Sequence, residues 1–428
     1  MLYWQYLPVL TGIPTAIRPE ERTVTTTENG CPYARSYPLG EAHELEFDPG
    51  YAELRREEPL ARIRMPYGEE GRLATRYDDV RTVMSDPRFS RAAVVGADVP
   101  RALPERPGQP ESIINIDPPE HGRLRRLVAA AFTARRVERM RPHVAGIADD
   151  LVDGLVAGGS PADLVSAVSM PFPVIVICEL LGVPLDGRDT FRAAADAALS
   201  TSAVPVEERR QAMTDLHTYI ASLVAERRDR PDGPGDDVLG GLVSARDDDG
   251  DRLSEGEMVS LGSAILLAGH ETTMNMTGNM VRTLLHERSR WDALVAEPDG
   301  IPAAVEEMLR FIPLGRQAGL PRIATADVEL TGGTVRAGEA VLVSTNAANR
   351  DPEVFDDPDA LHLDRSPGAH VAFGYGPHHC LGASLARMEL QTILRALTTR
   401  LPGLDLADDV EWRATSAVRG PARLPVTW

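Results

Sequence analysis

The stretch that decides the reading is HVAFGYGPHHCLGASLARMEL, His370–Leu390. Cys380 follows a loop containing Gly374, Gly376 and Pro377, and stands just before Gly382, where a helical pattern begins. Glycines let a backbone approach a flat group closely, and a cysteine at a helix N-terminus is favoured as thiolate. Amide N–H groups there can hydrogen-bond the sulfur and tune its donation to a metal. The same residues also fit a structural thiol at a tight turn, so the cysteine needs company before it means chemistry.

Composition removes many alternatives. The chain has 428 residues, with 45 basic and 64 acidic side chains and a net charge of −19; every basic residue is arginine. Without lysine there is no Schiff-base, pyridoxal-phosphate or Walker-type phosphate chemistry. Net acidity argues against a nucleic-acid coat or a broadly basic membrane surface. Three scattered cysteines, Cys31, Cys178 and Cys380, supply neither a disulfide scaffold nor a four-thiolate metal site. The apolar start MLYWQYLPVL is too short to span a bilayer and lacks a basic flank. A cytoplasmic protein without membrane or nucleic-acid partners is expected, acting as a monomer.

The pattern outward from the cysteine is mainly α with a smaller β portion. Residues 1–48 read as an N-terminal arm, and 49–428 as a single domain. YAELRREEP and YDDVRTVMSD are short helices around two strands, RIRMPY and GRLATR. The proline-rich stretch Val94–Glu111 is a long loop, a kind that is uncommon unless functional. Ser254 stands three residues before Glu257, a capping box that opens a long helix continuing to about Leu285. After Pro313, RIATADVEL, GGTVRAG and AVLVSTNAANRD read as strands in small sheets.

Three motifs keep Cys380 company. AGHETT, Ala268–Thr273, lies mid-helix, where Gly269 costs about 1 kcal/mol relative to alanine and where Glu271 and Thr272 are unusual in a dry core. Close approach of a ligand to Ala268 and Gly269 would give the glycine a reason. In AAVEEMLRFIP, Glu307 and Arg310 share a helix face. In INIDPPEHGRLRRLV, His121 and Arg125 are four apart after Pro119, so both can point at one anion. Each alone also fits an ordinary solvated or packed face.

Together, FGYGPHHCLG and these motifs resemble the cytochrome P-450 superfamily, whose haem-thiolate signature is carried by Phe373, Gly374, Gly376, His378, Cys380 and Gly382. The resemblance runs from about Tyr51 to Trp428 and looks most like soluble actinobacterial enzymes of secondary metabolism. It implies haem b with Cys380 as axial iron ligand and the long helix crossing over the haem, with Phe373 beside the sulfur. Haem propionates would be held by His121, Arg125, Arg322 and His378. Thr272 and Glu271 would be the alcohol–acid pair of oxygen activation and proton delivery, with Ala268 and Gly269 beside the oxygen-binding face. Glu307, Arg310 and Arg365 would form a structural network.

The activity implied is a monooxygenase that hydroxylates or epoxidises a small-molecule or peptide substrate. The alanine, valine, leucine and methionine of the segments framing the pocket by resemblance suggest one that is mostly apolar. Those segments are residues 94–112, Met170–Leu199, Ile265–Glu271, Leu314–Leu320 and the tail near Val418. No nicotinamide or flavin fingerprint follows the haem portion, so electrons are expected to come from separate proteins, a ferredoxin and its reductase. Gly122–Arg141 carries seven arginines against Glu138, a patch able to steer an acidic partner. Oxidative aromatic or peptide cross-linking by the same centre, peroxide-driven turnover and a non-catalytic haem sensor are the alternatives; the Glu271–Thr272 pair disfavours a fatty-acid peroxygenase.

Overall fold

Ser254 and Glu257 close the capping box that the sequence predicts. The Glu257 N–H donates to Ser254 Oγ at 3.2 Å and the Ser254 N–H to Glu257 Oε2 at 2.6 Å. The helix they open runs Glu255–His286, 32 residues, or about 48 Å at the standard rise. In this computed structural model the described residues are 34–40, 44–108, 110–129, 132–184, 205–235, 237–245, 253–316, 318–366, 368–414 and 416–428. The expected role of residues 1–10 and the 185–199 part of the expected pocket wall lie outside them.

Buried side chains occur on every side of the long helix from Met258 to Leu285, as in a helix that runs through a core rather than over it. The helices Pro171–Leu181, Val206–Asp229, Arg288–Ala296 and Ala383–Arg400 pack against it. The last also packs on Ala134–Gly158. Pro171–Leu181 is apolar almost throughout, and eight of its eleven residues are buried, so it belongs inside. The architecture is mainly α with a smaller β portion, as the sequence reading expected.

The β portion is more connected than local patterning suggests. One sheet runs in the order Arg35–Ser36, Leu60–Arg64, Gly71–Ala74, Ala340–Val343, Arg322–Ala324 and Phe89–Ser90. Strands from opposite ends of the sequence meet where Arg72–Ala74 pairs parallel with Val341–Val343. All four residues of Ala340–Val343 are buried, as a central strand requires. Val328–Leu330 and Gly333–Val335 do form a small two-stranded sheet, whereas Arg322–Ala324 and Ala340–Val343 join the larger one instead of the small sheets expected; such pairing leaves no local trace in the sequence. The fold also takes in residues assigned to the arm: Arg35 and Ser36 pair with Ile63 and Arg64, and Tyr37 is buried. Among the described residues no helix is long and apolar enough to cross a membrane.

Candidate functional site

Cys380 sits at the end of a loop that glycines make possible. Gly374 and Gly376 have φ of 76° and 72°, a region that L side chains avoid. A Cβ on Gly376 would also meet the Met84 carbonyl at 2.8 Å. The turn closes on itself, with the Cys380 N–H donating to Phe373 O at 2.8 Å and the His379 N–H to Gly376 O at 3.0 Å. Cys380 is exposed whereas Cys178 is buried. The helix begins only at Ala383. The cysteine therefore precedes the helix start expected to ease it toward thiolate. Although the residue has an open face, the protein packed around the sulfur strips it of water and pushes the thiol up, against the pull of the Gly382 N–H, Arg125 and Arg387.

Beside this loop the fold gathers positive charge. The His121 and His378 rings meet at a tilt of 48°, with centroids 4.2 Å apart. The pairing of Ser90 with Ile323 brings Arg91 opposite Arg322 at the end of two strands, like charges where opposite ones would stabilise. Both arginines are buried, which lowers each guanidinium to about 10; repulsion from Arg322 adds to the effect on Arg91. Burial, and then His121, Arg322 and Arg91, lower His378 to about 3.

Asp117 is the carboxylate that opposes this charge, and it is already engaged by Ser90 Oγ and the Arg91 N–H. His121 Nδ1 is buried without a hydrogen-bond partner, and Arg322 has no side-chain hydrogen bond among the described residues. Buried cations demand anions. A flat group bearing two carboxylates, as haem b does, fits both this cluster and the neighbouring exposed thiol. Arg125, whose guanidinium is near enough to Cys380 to feel its charge, belongs to the same region.

On the long helix, Ala268 and Thr272 are accessible although His270, Glu271, Thr273 and Met274 are buried. They stand one turn apart, so they form a strip facing open space inside a buried helix. Thr272 Oγ1 donates to Ala268 O at 2.8 Å. Glu271 turns elsewhere: Ser416 Oγ donates to its Oε1 at 2.8 Å, and Arg413 lies 3.9 Å away. Gly269 has a packing reason beside the ligand approach that the sequence reading invoked. A Cβ there would meet Ile177 Cδ1 at 2.9 Å, so the glycine lets Pro171–Leu181 pack closely.

Two adjacent glutamates fasten the region. Glu307 pairs with Arg310 at 2.7 Å and with Arg365 at 3.1 Å, and accepts the His362 N–H. Arg310 continues to the carbonyls of Asn349, Pro358 and Ala360, and Arg365 to those of Asp356 and Asp357. Glu306 instead holds Arg387 and His370. Sequence reasoning singled out Glu307, Arg310 and Arg365 but missed Glu306, Arg387, Arg91, Asp117 and Ser416. The doubled glutamate and the LARME run were visible signals; Arg91 had none, because sheet register alone brings it to Arg322.

The arginine-rich segment is less uniform than its sum. Arg123 pairs with Glu120 and Glu257, and Arg141 with Glu138. Arg126, Arg135 and Arg139 are exposed.

Comparison with known proteins adds to this geometry. Residues 203–401 match the family model for cytochrome P450. The chain is 48% identical to nocardicin C N-oxygenase of Nocardia uniformis subsp. tsuyamanensis, over 92% of this chain and 98% of that protein. The LnmA cytochrome P450 hydroxylase from the leinamycin pathway of Streptomyces atroolivaceus superposes with a TM-score of 0.86 at 49% identity, over 92% of this chain and all of that one. A cytochrome P450 with biaryl coupling reactivity gives a TM-score of 0.88 at 46% identity, with the same coverage.

Proposed function

Because the chain belongs to the cytochrome P450 family and is an oxidoreductase of it, we propose that it is a haem-thiolate monooxygenase with Cys380 as the iron ligand. Family membership implies haem b with thiolate ligation. The observation that carries the assignment of residues is the cluster Arg91, Arg322, His121 and His378, short of anions, beside the exposed Cys380. Arg322, His121, His378 and Arg125 would hold the two haem carboxylates, while Arg91, whose guanidinium is taken up by Ile114 O, Pro321 O and Asn115 Oδ1, adds its charge from behind; Phe373 would pack beside the sulfur. When bound, the haem supplies the one-electron and O2 chemistry, its thiolate favouring O–O cleavage.

The protein's part is to hold substrate and meter protons. Thr272 keeps its hydroxyl in the accessible strip by anchoring it to Ala268 O, leaving the oxygen free to accept a hydrogen bond from water or oxygen. Ser416 Oγ holds Glu271 Oε1 at 2.8 Å on the side of the C-terminal tail, and Glu271 would deliver protons to Thr272 by rotating away from that contact. The accessible strip at Ala268 and Thr272 would face an apolar molecule. A secondary-metabolite intermediate fits, given a relative that acts on nocardicin C and another from the leinamycin pathway. The electrons come from a ferredoxin and its reductase, with exposed Arg126, Arg135 and Arg139 steering an acidic donor.

The test has two stages. A panel of candidate intermediates is screened for the low-spin to high-spin haem shift, and the hit is then turned over with surrogate ferredoxin, reductase and isotopically heavy O2. One heavy oxygen atom in the product supports monooxygenation. A product lacking two hydrogens and any new oxygen would mean oxidative coupling, and a spectral shift without turnover would favour a sensor.

A further inference from the structure

The two glutamates in the middle of the Ile301–Phe311 helix divide their work. They are adjacent, so they point about 100° apart around the helix. Glu307 and its arginines terminate on main-chain atoms of residues 349–362, a scaffold for that segment. Glu306 terminates on side chains that touch the cysteine loop. Arg387 Nε donates to Glu306 Oε1 at 2.7 Å and its Nη2 to Oε2 at 3.0 Å, a two-pronged pair.

His370 Nδ1 accepts the Ala372 N–H at 3.3 Å, which leaves the proton on Nε2 facing Glu306 Oε2 at 3.1 Å. Both donors hold Glu306 ionised despite burial, down to about 2. The guanidinium so gripped lies over the Phe373 ring, 4.5 Å from its centroid. The carbonyl of Phe373 accepts the Cys380 N–H. A cation, a ring and the sulfur-bearing residue are thus consecutive neighbours. A pair one-third exposed on one side adds little stability as an ion pair, so its position against the ring is the informative feature.

We propose that Arg387 is a positioning residue that fixes Phe373 and sets the charge beside the Cys380 ligand, and that Glu306, helped by His370, holds Arg387 in place and balances its charge. The proposal rests on the haem-thiolate reading above. Its consequence is electrostatic: the pair sets how readily bound iron takes its first electron.

The test is spectroelectrochemical reduction of the purified haem-loaded full chain. Glu306→Gln keeps the shape and leaves Arg387 unbalanced, so the ferrous form gains by about tenfold, a rise of about 59 mV for one electron. Arg387→Gln removes the cation and shifts the equilibrium in the opposite direction. Arg387→Lys keeps the direction and most of the value of the parent. The double variant Glu306→Gln/Arg387→Gln returns to within about threefold of it.

Shifts of the same sign in both single variants, or no shift beyond about threefold, overturn the proposal, because a scaffold would move both alike. Should Arg387→Gln not retain haem, Glu306→Gln and Arg387→Lys decide alone: the first must rise and the second must hold. The carbonyl complex of the parent separates the two readings. A parent without the thiolate-type band refutes the reading beneath the proposal, whereas a parent with it and same-sign shifts refutes only the proposal.

Discussion

The cysteine side and the long-helix side of the site are built on opposite terms. Around Cys380, apart from Arg322 and His121, the polar groups are committed: Glu306 and Glu307 each hold two or more donors, Arg310 spans three carbonyls, and the loop closes on its own backbone. On the long helix, the accessible strip holds a methyl group and a hydroxyl bonded only to its own helix. One side is fixed before anything binds; the other offers space and a single adjustable alcohol. The contrast suits an enzyme whose metal chemistry is constant and whose substrate is not.

Attacks on the two sides should therefore fail differently. The largest effect is expected from Arg310→Ala, which leaves buried Glu307 with only Arg365 and the His362 N–H, cuts the ties to three carbonyls and costs about 3–5 kcal/mol. Denaturant unfolding should show that loss together with poor haem retention. If stability is unchanged, the Glu307 network is not the scaffold described. Thr272→Ala should leave stability and the carbonyl spectrum intact while cutting oxygen-coupled product formation by about 100-fold, the scale of a lost proton-transfer group. Normal coupling in that variant would remove Thr272 from proton delivery.

Arg322→Gln relieves the cluster of one buried cation, so haem affinity should fall about tenfold, read by competition with apomyoglobin; unchanged affinity would exclude Arg322 as a propionate contact. The smallest effect is expected from Gly269→Ala. It gains about 1 kcal/mol of helix propensity but presses on Ile177, so the net change stays within about 1 kcal/mol. Ile177→Val should restore whatever is lost. An altered haem spectrum in Gly269→Ala would instead return the glycine to the cofactor side.

The same division explains what the sequence could convey. The cysteine side is written in short, local patterns: glycines at positive φ, a cysteine at fixed offset, glutamate and arginine one helical turn apart. The capping box at Ser254 and the long helix were legible for the same reason. The joining of N-terminal strands to Ala340–Val343 was not, because parallel pairing across the chain has no local signature. Arg91 stayed hidden because only the register of Phe89–Ser90 against Ile323–Ala324 brings it to Arg322. Ser416 reaches Glu271 by tertiary contact alone. Gly269 shows the converse, a residue noticed correctly for which packing against Ile177 supplies a further reason.

The central claim, that Cys380 is the thiolate around which the committed side is organised, is tested most directly by the ferrous–carbonyl spectrum of haem-loaded Cys380→Ser beside Cys178→Ser. The account predicts that the thiolate-type Soret band vanishes in the first variant and persists in the second. A Cys380→Ser protein that keeps the band would contradict it.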